Sequence, residues 1–316
     1  MRKIRTSAFF ILMMVAVSMV VSCTKATLSD AELLDREQQT LKQYLQTNHI
    51  SATPRASGLY YIPTDTAKAT GMSPDTNKND VVLFSYSLRL LNGNIVATNV
   101  DSIAAANQLT QPGVFYKPFE YRVKWWFGGL KEGFSLMKEG SKATFIIPSN
   151  LAYGSAGAPS LKIGGYTTVI FDINLLKVIH DPLAYQDTLI KKYIADSIAK
   201  SREVEILDSG VRHIIDVAGT GDYPADYKTV SVRYTARLID GTLIEQITPK
   251  QLPFSYKLNT DAIIRGFDIA IRKMKKGEKA WVIIPYNQAY GEKPALYVNL
   301  PPFTTLAYYI TVVDIQ

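Results

Sequence analysis

One cysteine, Cys23, is present in 316 residues. No internal disulfide can form, so the stability of the folded part must come from packing. Histidine is nearly as scarce: His49, His180 and His213 are scattered, with no cysteine near them in the body of the chain. A structural or catalytic zinc site therefore has no support, and no pattern calls for another metal or for a cofactor. No Lys/Arg block stands out, which speaks against nucleic-acid binding. Long hydrophobic runs are missing too, since the uncharged stretch from Ala8 to Val21 is too short to span a bilayer comfortably. No common nucleophile or phosphate-loop motif occurs anywhere.

What is present begins with the N-terminus. Arg2, Lys3 and Arg5 precede that apolar stretch, which is a secretory signal pattern, although a membrane anchor or a core helix would also read this way. Its end, Val20-Val21-Ser22-Cys23, resembles the bacterial lipobox, in which the cysteine is lipidated and becomes the first mature residue. The expectation is a signal peptide over 1–23 and a lipid anchor to membrane at Cys23. Cleavage would remove three positive charges and no acids, taking the formal net charge from +7 to +4. The following TKATLSDAE has no concentrated acidic run of the surface-export kind. An outer membrane lipoprotein facing the periplasm is therefore expected.

The length exceeds what one hydrophobic core usually serves, so two domains are expected. A repeat shows where they lie: IPSNLAYG at 147–154 returns as IPYNQAYG at 284–291. Helical spacing marks Ser29 to His49 through Leu33, Leu34, Leu41, Tyr44 and Leu45, and again Leu183 to Lys200 through Leu189, Ile190, Tyr193, Ile194 and Ile198. Each is followed by a matched strand signal, SGLYYI at 57–62 and SGVRHI at 209–214. Alternation then places Val82, Phe84, Tyr86, Leu88 and Leu90 on one strand face, and Val230, Val232, Tyr234, Ala236 and Leu238 on its counterpart. The opposite faces, with Ser85, Ser87 and Arg89 or Ser231, Arg233, Thr235 and Arg237, read as wet, and Asn92-Gly93 and Asp240-Gly241 as hairpin turns.

GLKEGFSLMKEG at 129–140 and GFDIAIRKMKKG at 266–277 each bury one helical face, through Leu130, Gly133, Phe134 and Met137 or Phe267, Ala270, Ile271 and Met274. Gly140 and Gly277 read as the helix ends. Strands KATFII and KAWVII, the repeated octapeptide, an irregular loop and a last alternating strand complete each unit. Mostly antiparallel sheet with one covering helix is an α+β architecture. The expected division is signal peptide 1–23, tether and N-terminal helix 24–55, first domain 56–180, linker helix 181–205 and second domain 206–316. The helix before each unit reads as a spacer, a dimerisation arm or part of its domain's packing, with a semi-rigid linker the simplest account of the second. The oligomeric state stays open.

This ordered set of signals, a Tyr strand, a hairpin Gly, an aromatic strand, Ile-x-Gly-aromatic opening a helix, Met-x-x-Gly, Ile-Pro-x-x-x-Ala-Tyr-Gly and a Pro-Pro loop, resembles the FKBP family of peptidyl-prolyl cis/trans isomerases. The resemblance covers 208–316 almost continuously and 57–179 more loosely. It implies two FKBP-like domains, each a five-stranded, curled antiparallel sheet around a short α-helix, acting on proline-containing polypeptides without a cofactor. In the second domain it implies a cleft of Tyr234, Phe254, Ile263, Ile264, Phe267, Leu300 and Tyr308. The Tyr290 hydroxyl and the Ile264 N–H would hold substrate carbonyls. Glu245 stands where an Asp is usual, Ile244 where an aromatic is, and Phe267 where a floor tryptophan is. In the first domain the counterparts are Tyr86, Phe119, Trp126, Phe127, Leu130, Tyr153, Ile163 and Phe171. There the acid has become Ala97, the floor Leu130, and the proline loop Gly164-Gly165, while Val100 to Tyr116 is inserted after the hairpin. The resemblance thus implies a peptidyl-prolyl isomerase of exported chains with a working second cleft and a degenerate first one. The alternative is a non-catalytic envelope lipoprotein that binds peptide or a partner. The Trp125-Trp126 pair reads equally as a core corner, a ligand platform or a partner contact.

Overall fold

The computed structural model describes residues 28–69, 71–198, 202–260, 263–293 and 299–316, so Cys23 and the signal pattern lie outside the described residues. In the first domain, helix α1 (Asp30–Thr47) precedes strands β1 (Tyr60–Asp65), β2 (Val81–Leu90) and β3 (Ile95–Thr98), helix α2 (Asp101–Ala106) and strand β4 (Phe119–Arg122). Helix α3 (Gly128–Leu136) and strands β5 (Lys142–Ile147) and β6 (Val169–Ile179) complete it. The sheet order is β1-β5-β6-β2-β3, with β4 also paired to β2. The second domain repeats this with helix α4 (Pro182–Ser197), strands β7 (Glu205–Ile206), β8 (Arg212–Val217), β9 (Thr229–Leu238), β10 (Leu243–Gln246) and β11 (Phe254–Lys257), helix α5 (Arg265–Ile271), and strands β12 (Lys279–Ile284) and β13 (Leu306–Ile315). Its order is β10-β9-β13-β12-β8-β7, with β11 on β9. Every pairing is antiparallel. The fold is α+β, as the periodicities indicate, and the sheets have six and seven strands instead of five. The second sheet is the longer one because β7 joins the edge at β8.

Local chemistry accounts for the boundaries. Ser29 and Glu32 form a reciprocal capping box at the start of α1, and the Asp181 carboxylate accepts from the Ala184 N–H ahead of Pro182 in α4. Gly93 and Gly241 take φ of 88° and 89°, which lets their N–H groups close the hairpins onto Leu90 and Leu238. The covering helices stop earlier than expected, at Leu136 and Ile271. Gly140 and Gly277 sit beyond them in the turns entering β5 and β12, their N–H groups donating to Leu175 and Val312.

The faces expected to be wet are largely covered. Helix α1 lays Leu41 over Ile146 and Ile170, with Tyr44, Leu45 and Tyr60 around them. Ser87 is buried with its hydroxyl 3.3 Å from that of Thr98, and Arg89 reaches both Asp172 (2.9 Å) and the Tyr44 hydroxyl (3.0 Å). Helix α4 does the same in the second domain, setting Ile190 and Tyr193 against Ile214, Ile283 and Ala307. Glu37, Leu41 and Tyr44 of α1 thus recur as Gln186, Ile190 and Tyr193 of α4. Of the readings open for the helix within 181–205, packing against its domain is the one α4 follows, since docking removes its apolar face from water. Each repeat is a helix plus an FKBP-like sheet.

The two repeats also meet directly. Val81 and Ile179 of the first domain share an apolar cluster with Tyr286 and Phe303 of the second. Arg122, 6% exposed, binds both carboxylate oxygens of Glu292 and lies 5.5 Å from the Phe303 ring. Gln186 ties the joint together, donating to Glu120 (2.8 Å) and accepting from Thr305 (2.8 Å).

Candidate functional site

The repeated octapeptide folds the same way twice. In each copy a strand ends at Ile-Pro, a single 3-10 turn follows, and the closing glycine donates back across it: Gly154 to Ser149 and Gly291 to Tyr286, both at 2.8 Å. Gly154 and Gly291 have φ of 61° and 82°, so only glycine enters this turn cheaply. The turn delivers Tyr153 and Tyr290 to the apolar clusters beneath α3 and α5. Its third residue varies with its neighbours. Ser149 donates its N–H and hydroxyl to the buried Glu37 carboxylate at 2.7 and 2.6 Å, whereas Tyr286 is buried in the joint between domains.

Covering helix and sheet approach closely above these turns. A Cβ on Gly129 or Gly266 would lie 2.3 Å from Cγ2 of Ile147 or Ile284. Both glycines are required by the same close approach, and it places Leu130 or Phe267 directly on the sheet.

In the second domain Phe267 is fully buried and its ring is the floor of an aromatic cage. Tyr308 lies 5.2 Å from it and Tyr234 5.8 Å, both edge-on; Tyr234 and Tyr308 are 5.5 Å apart, and Phe254 is 6.2 Å from Tyr234. Ile263, Ile264 and Tyr290 pack against the same cluster, and Leu300 is buried in it. Ile264 is the N-cap of α5. The exposed Glu245 accepts a hydrogen bond of 2.8 Å from the Tyr234 hydroxyl, so it fixes that ring's polar end. The structure therefore brings together all nine residues proposed from sequence. Burial, above all, holds the Tyr234 and Tyr308 hydroxyls above the ordinary tyrosine range. They stay protonated at neutral pH and are hydrogen-bonding groups, not nucleophiles.

The first domain gathers its eight residues as well, around a different floor. Leu130, Ile163 and Phe171 are buried, with Tyr86, Phe119, Trp126, Phe127 and Tyr153 packed against them. Phe127 lies 5.3 Å from Tyr153 and 6.0 Å from Phe171, and Tyr86 is 6.0 Å from Phe171. Burial pushes the Tyr86 hydroxyl up to about 12. No acid occupies the Glu245 position, where Ala97 packs into the apolar cluster. The glycine loop has its own logic: a Cβ on Gly165 would fall 2.0 Å from the Ser155 carbonyl oxygen, so the chain folds back where prolines would hold it out. Of the tryptophan pair, Trp126 is a cleft-side core residue 4.4 Å from the Tyr121 ring, while Trp125 is 38% exposed beside Arg122.

Some residues escaped the sequence reading of the site. Tyr256 stacks on Phe254 at 5.7 Å and meets Phe267 at 6.0 Å, and the period-two pattern of Phe254–Lys257 could have found it. Phe84 touches Tyr86, Phe119, Trp126 and Phe134 at 5.2 to 6.0 Å. Phe115 and Tyr116 lie in the insert, where no periodicity marks them.

The family model for FKBP-type peptidyl-prolyl cis-trans isomerase matches residues 73–176 and 221–313. The chain belongs to this family. It is 31% identical over 125 residues to the FKBP-type peptidyl-prolyl cis-trans isomerase FkpA of Escherichia coli (strain K12), covering 40% of this chain and 45% of that one. To the FKBP-type 22 kDa peptidyl-prolyl cis-trans isomerase of the same strain it is 33% identical over 124 residues, covering 39% and 58%. The chain spans about half the length of the curated relatives it matches. Among solved structures, the crystal structure of the three FKBP domains of wheat FKBP73 aligns with 83% of this chain and 96% of that one, at 22% identity and a TM-score of 0.35.

Proposed function

We propose that this FKBP catalyses cis/trans isomerisation of X-Pro bonds in exported polypeptides, and that the second cleft carries most of the activity. The cage of Tyr234, Phe254, Phe267 and Tyr308 is the observation that carries the reading. The barrier to rotation, about 18–20 kcal/mol, comes from amide resonance, and X-Pro bonds cross it unaided in tens to hundreds of seconds. A site lowers it by binding the twisted amide better than the planar one. An apolar cage suits the proline ring and withholds water from an amide whose charge separation falls on twisting, and the protonated Tyr308 hydroxyl lies beside it as a hydrogen-bonding group. The names of the matched relatives, all peptidyl-prolyl isomerases, agree with this.

Proline-limited refolding of a test protein is the assay. The whole chain should accelerate it, and Phe267→Leu, which gives the second cleft the first one's floor, should lower kcat/KM by about tenfold to a hundredfold, or roughly 1.4–2.7 kcal/mol. Tyr234→Phe, which keeps the ring, checks that the loss is not unfolding. If the chain accelerates nothing at micromolar concentration, or Phe267→Leu leaves the rate unchanged, the second cleft is not a working isomerase site.

The first cleft favours a second reading for that domain, retention of peptide without catalysis. Beside it runs an open groove of about 790 Å³ lined by Val96, Ala97, Tyr116 and Leu161 among others, while the floor ring and the acid are gone. We further infer lipidation of Cys23 and a periplasm-facing place on the outer membrane. The lipobox-like Val20–Cys23 supports this, and no helix of the described residues is long and apolar enough to cross a membrane. Failure of Cys23→Ala to alter fatty-acid labelling would remove it.

A further inference from the structure

The insert that separates the first domain from a minimal FKBP runs from α2 to β4, and its last residues face two ways. Tyr116 donates its hydroxyl to the Leu109 carbonyl and lies near enough to Tyr86 for the two phenols to influence each other. Its neighbour Phe115 packs against the apolar cluster of the second domain, whose members include Leu238, Leu300 and Leu306. The chain turns here, the Lys117 N–H donating to the Phe115 carbonyl at 3.1 Å, and one short segment reaches both domains. The residues around Phe115 make the same crossing. Lys117 Nζ donates to Asp240 (2.5 Å) and Thr242 (2.6 Å) in the second domain's hairpin turn. A Cβ on Gly113 would stand 3.5 Å from Nδ2 of Asn299, the residue before Leu300. Phe115 also lines a cavity of about 150 Å³ together with Leu238, Asp240, Pro301 and Pro302.

Leu300 is buried in the cluster of the second cleft, and Pro301 and Pro302, which follow it, line the cavity that Phe115 enters. Pro302 and Leu300 are buried, and the stretch is tied down beyond them by the Phe303 N–H, which donates to the Gly291 carbonyl at 3.0 Å. A short irregular stretch such as this has few backbone bonds to hold it, so its position is set by what packs against it.

We propose that Phe115 is a positioning residue for the second cleft, contributed by the first domain: its ring supports the Leu300–Pro302 wall, and the second cleft is complete only with the insert in place. The proposal rests on the second cleft being the working site. It also gives the first domain a role that does not need its own cleft to be active.

The test uses the full chain with Phe115→Ala, Phe115→Leu and, at a distance from the ring, Lys117→Ala. Two readouts are taken: hydrogen exchange of the backbone amides from 299 to 306, and the kcat and KM of peptide isomerisation. Phe115→Ala should speed exchange at Leu300 and Phe303 by about tenfold. It should also raise KM several-fold with kcat little changed, as loss of a contact shared by ground and transition states does. Phe115→Leu, which keeps an apolar branch in the gap, should restore most of both. Lys117→Ala should give a smaller shift of the same kind. Unchanged exchange at Leu300 and Phe303 in Phe115→Ala overturns the proposal, whatever the activity. Faster exchange in a chain whose wild type isomerises nothing would leave the positioning role standing and remove the isomerase reading. Should Phe115→Ala fail to fold, Phe115→Ser and Lys117→Ala take its place, and wild-type exchange at Leu300 and Phe303 in both overturns it.

Discussion

In the first domain the large ring stands on the strand and the small aliphatic on the helix, as Phe84 and Leu130; in the second the order is reversed, as Val232 and Phe267. All four are buried, and Phe84 and Val232 hold the same register position, opposite the phenylalanines that open β4 and β11. A second exchange lies deeper. Gly133 of α3 faces Phe145 of β5, while the corresponding residues of α5 and β12 are Ala270 and Val282. Core volume is conserved as a sum over pairs, and either partner can supply it. A cleft does not share this freedom: with the ring on the strand, the first domain's aromatics gather around Leu130 instead of around a helix ring. The two repeats show one fold built around two different floors.

That comparison can be sharpened where the two copies use one position differently. Glu120 of β4 is 8% exposed at the joint, whereas its counterpart in β11 is Ser255, an exposed hydroxyl 2.7 Å from Ser231. Burial raises the Glu120 carboxyl to about 7. The fold therefore favours its neutral form: the contribution is intact below the unfolded value near 4.3 and is lost as pH rises through 7. Glu120→Gln, which keeps an oxygen for the Gln186 amide, should gain up to roughly 3 kcal/mol over wild type at pH 8 and little at pH 4. Urea midpoints of both proteins measure this, and a mutant advantage that does not change with pH breaks the argument.

The next effect concerns the exchanged pair. Gly133→Ala would bring a Cβ within 2.3 Å of the Phe145 ring and should cost about 2–3 kcal/mol. Adding Phe145→Val installs the second domain's pair in the first and should recover more than half of that loss. Additive losses in the double mutant, read from thermal unfolding, would show that the two positions do not compensate.

Smallest is the change that makes α1 resemble α4. Glu37 accepts from the Ser149 N–H, the Ser149 hydroxyl and the Thr168 hydroxyl, while Gln186 in the other repeat serves with a neutral amide. Glu37→Gln should cost only about 1 kcal/mol, because its amide can donate to the Ser149 oxygen. A loss much above that would mean the charge itself, not the hydrogen-bond pattern, holds α1 in place.

How much of this was legible in the sequence follows from what each signal depends on. Strand faces, hairpin glycines and covering helices are local, and alternation from Val82 to Leu88 or spacing from Phe267 to Met274 marks their buried sides directly. The cage residues were legible through the family resemblance, which the order of an aromatic strand, a helix opened by Gly266-Phe267 and a turn ending in Tyr290 carries. What was not legible is pairwise or distant. Ser87 and Arg89 look like a wet face until Thr98 and α1 meet them, and α4 looks like a linker because its partners, Ile214 and Ile283, come later in the chain. The helix ends were misplaced at Gly140 and Gly277, since a glycine with positive φ serves a strand-entry turn as well as a C-cap. Phe115 has no periodicity around it, and only the packed joint gives it a place.

The bond between Arg122 and Glu292 has a consequence beyond the joint itself. Parting the repeats takes the Glu292 carboxylate from Arg122 and leaves the guanidinium the Asn79 carbonyl of its own domain and water. With Val81, Ile179, Tyr286 and Phe303 drawn into the same contact, parting the repeats also exposes apolar surface, which couples the stability of one copy to that of the other. Duplication here has produced a larger single object, not a pair of beads on a string.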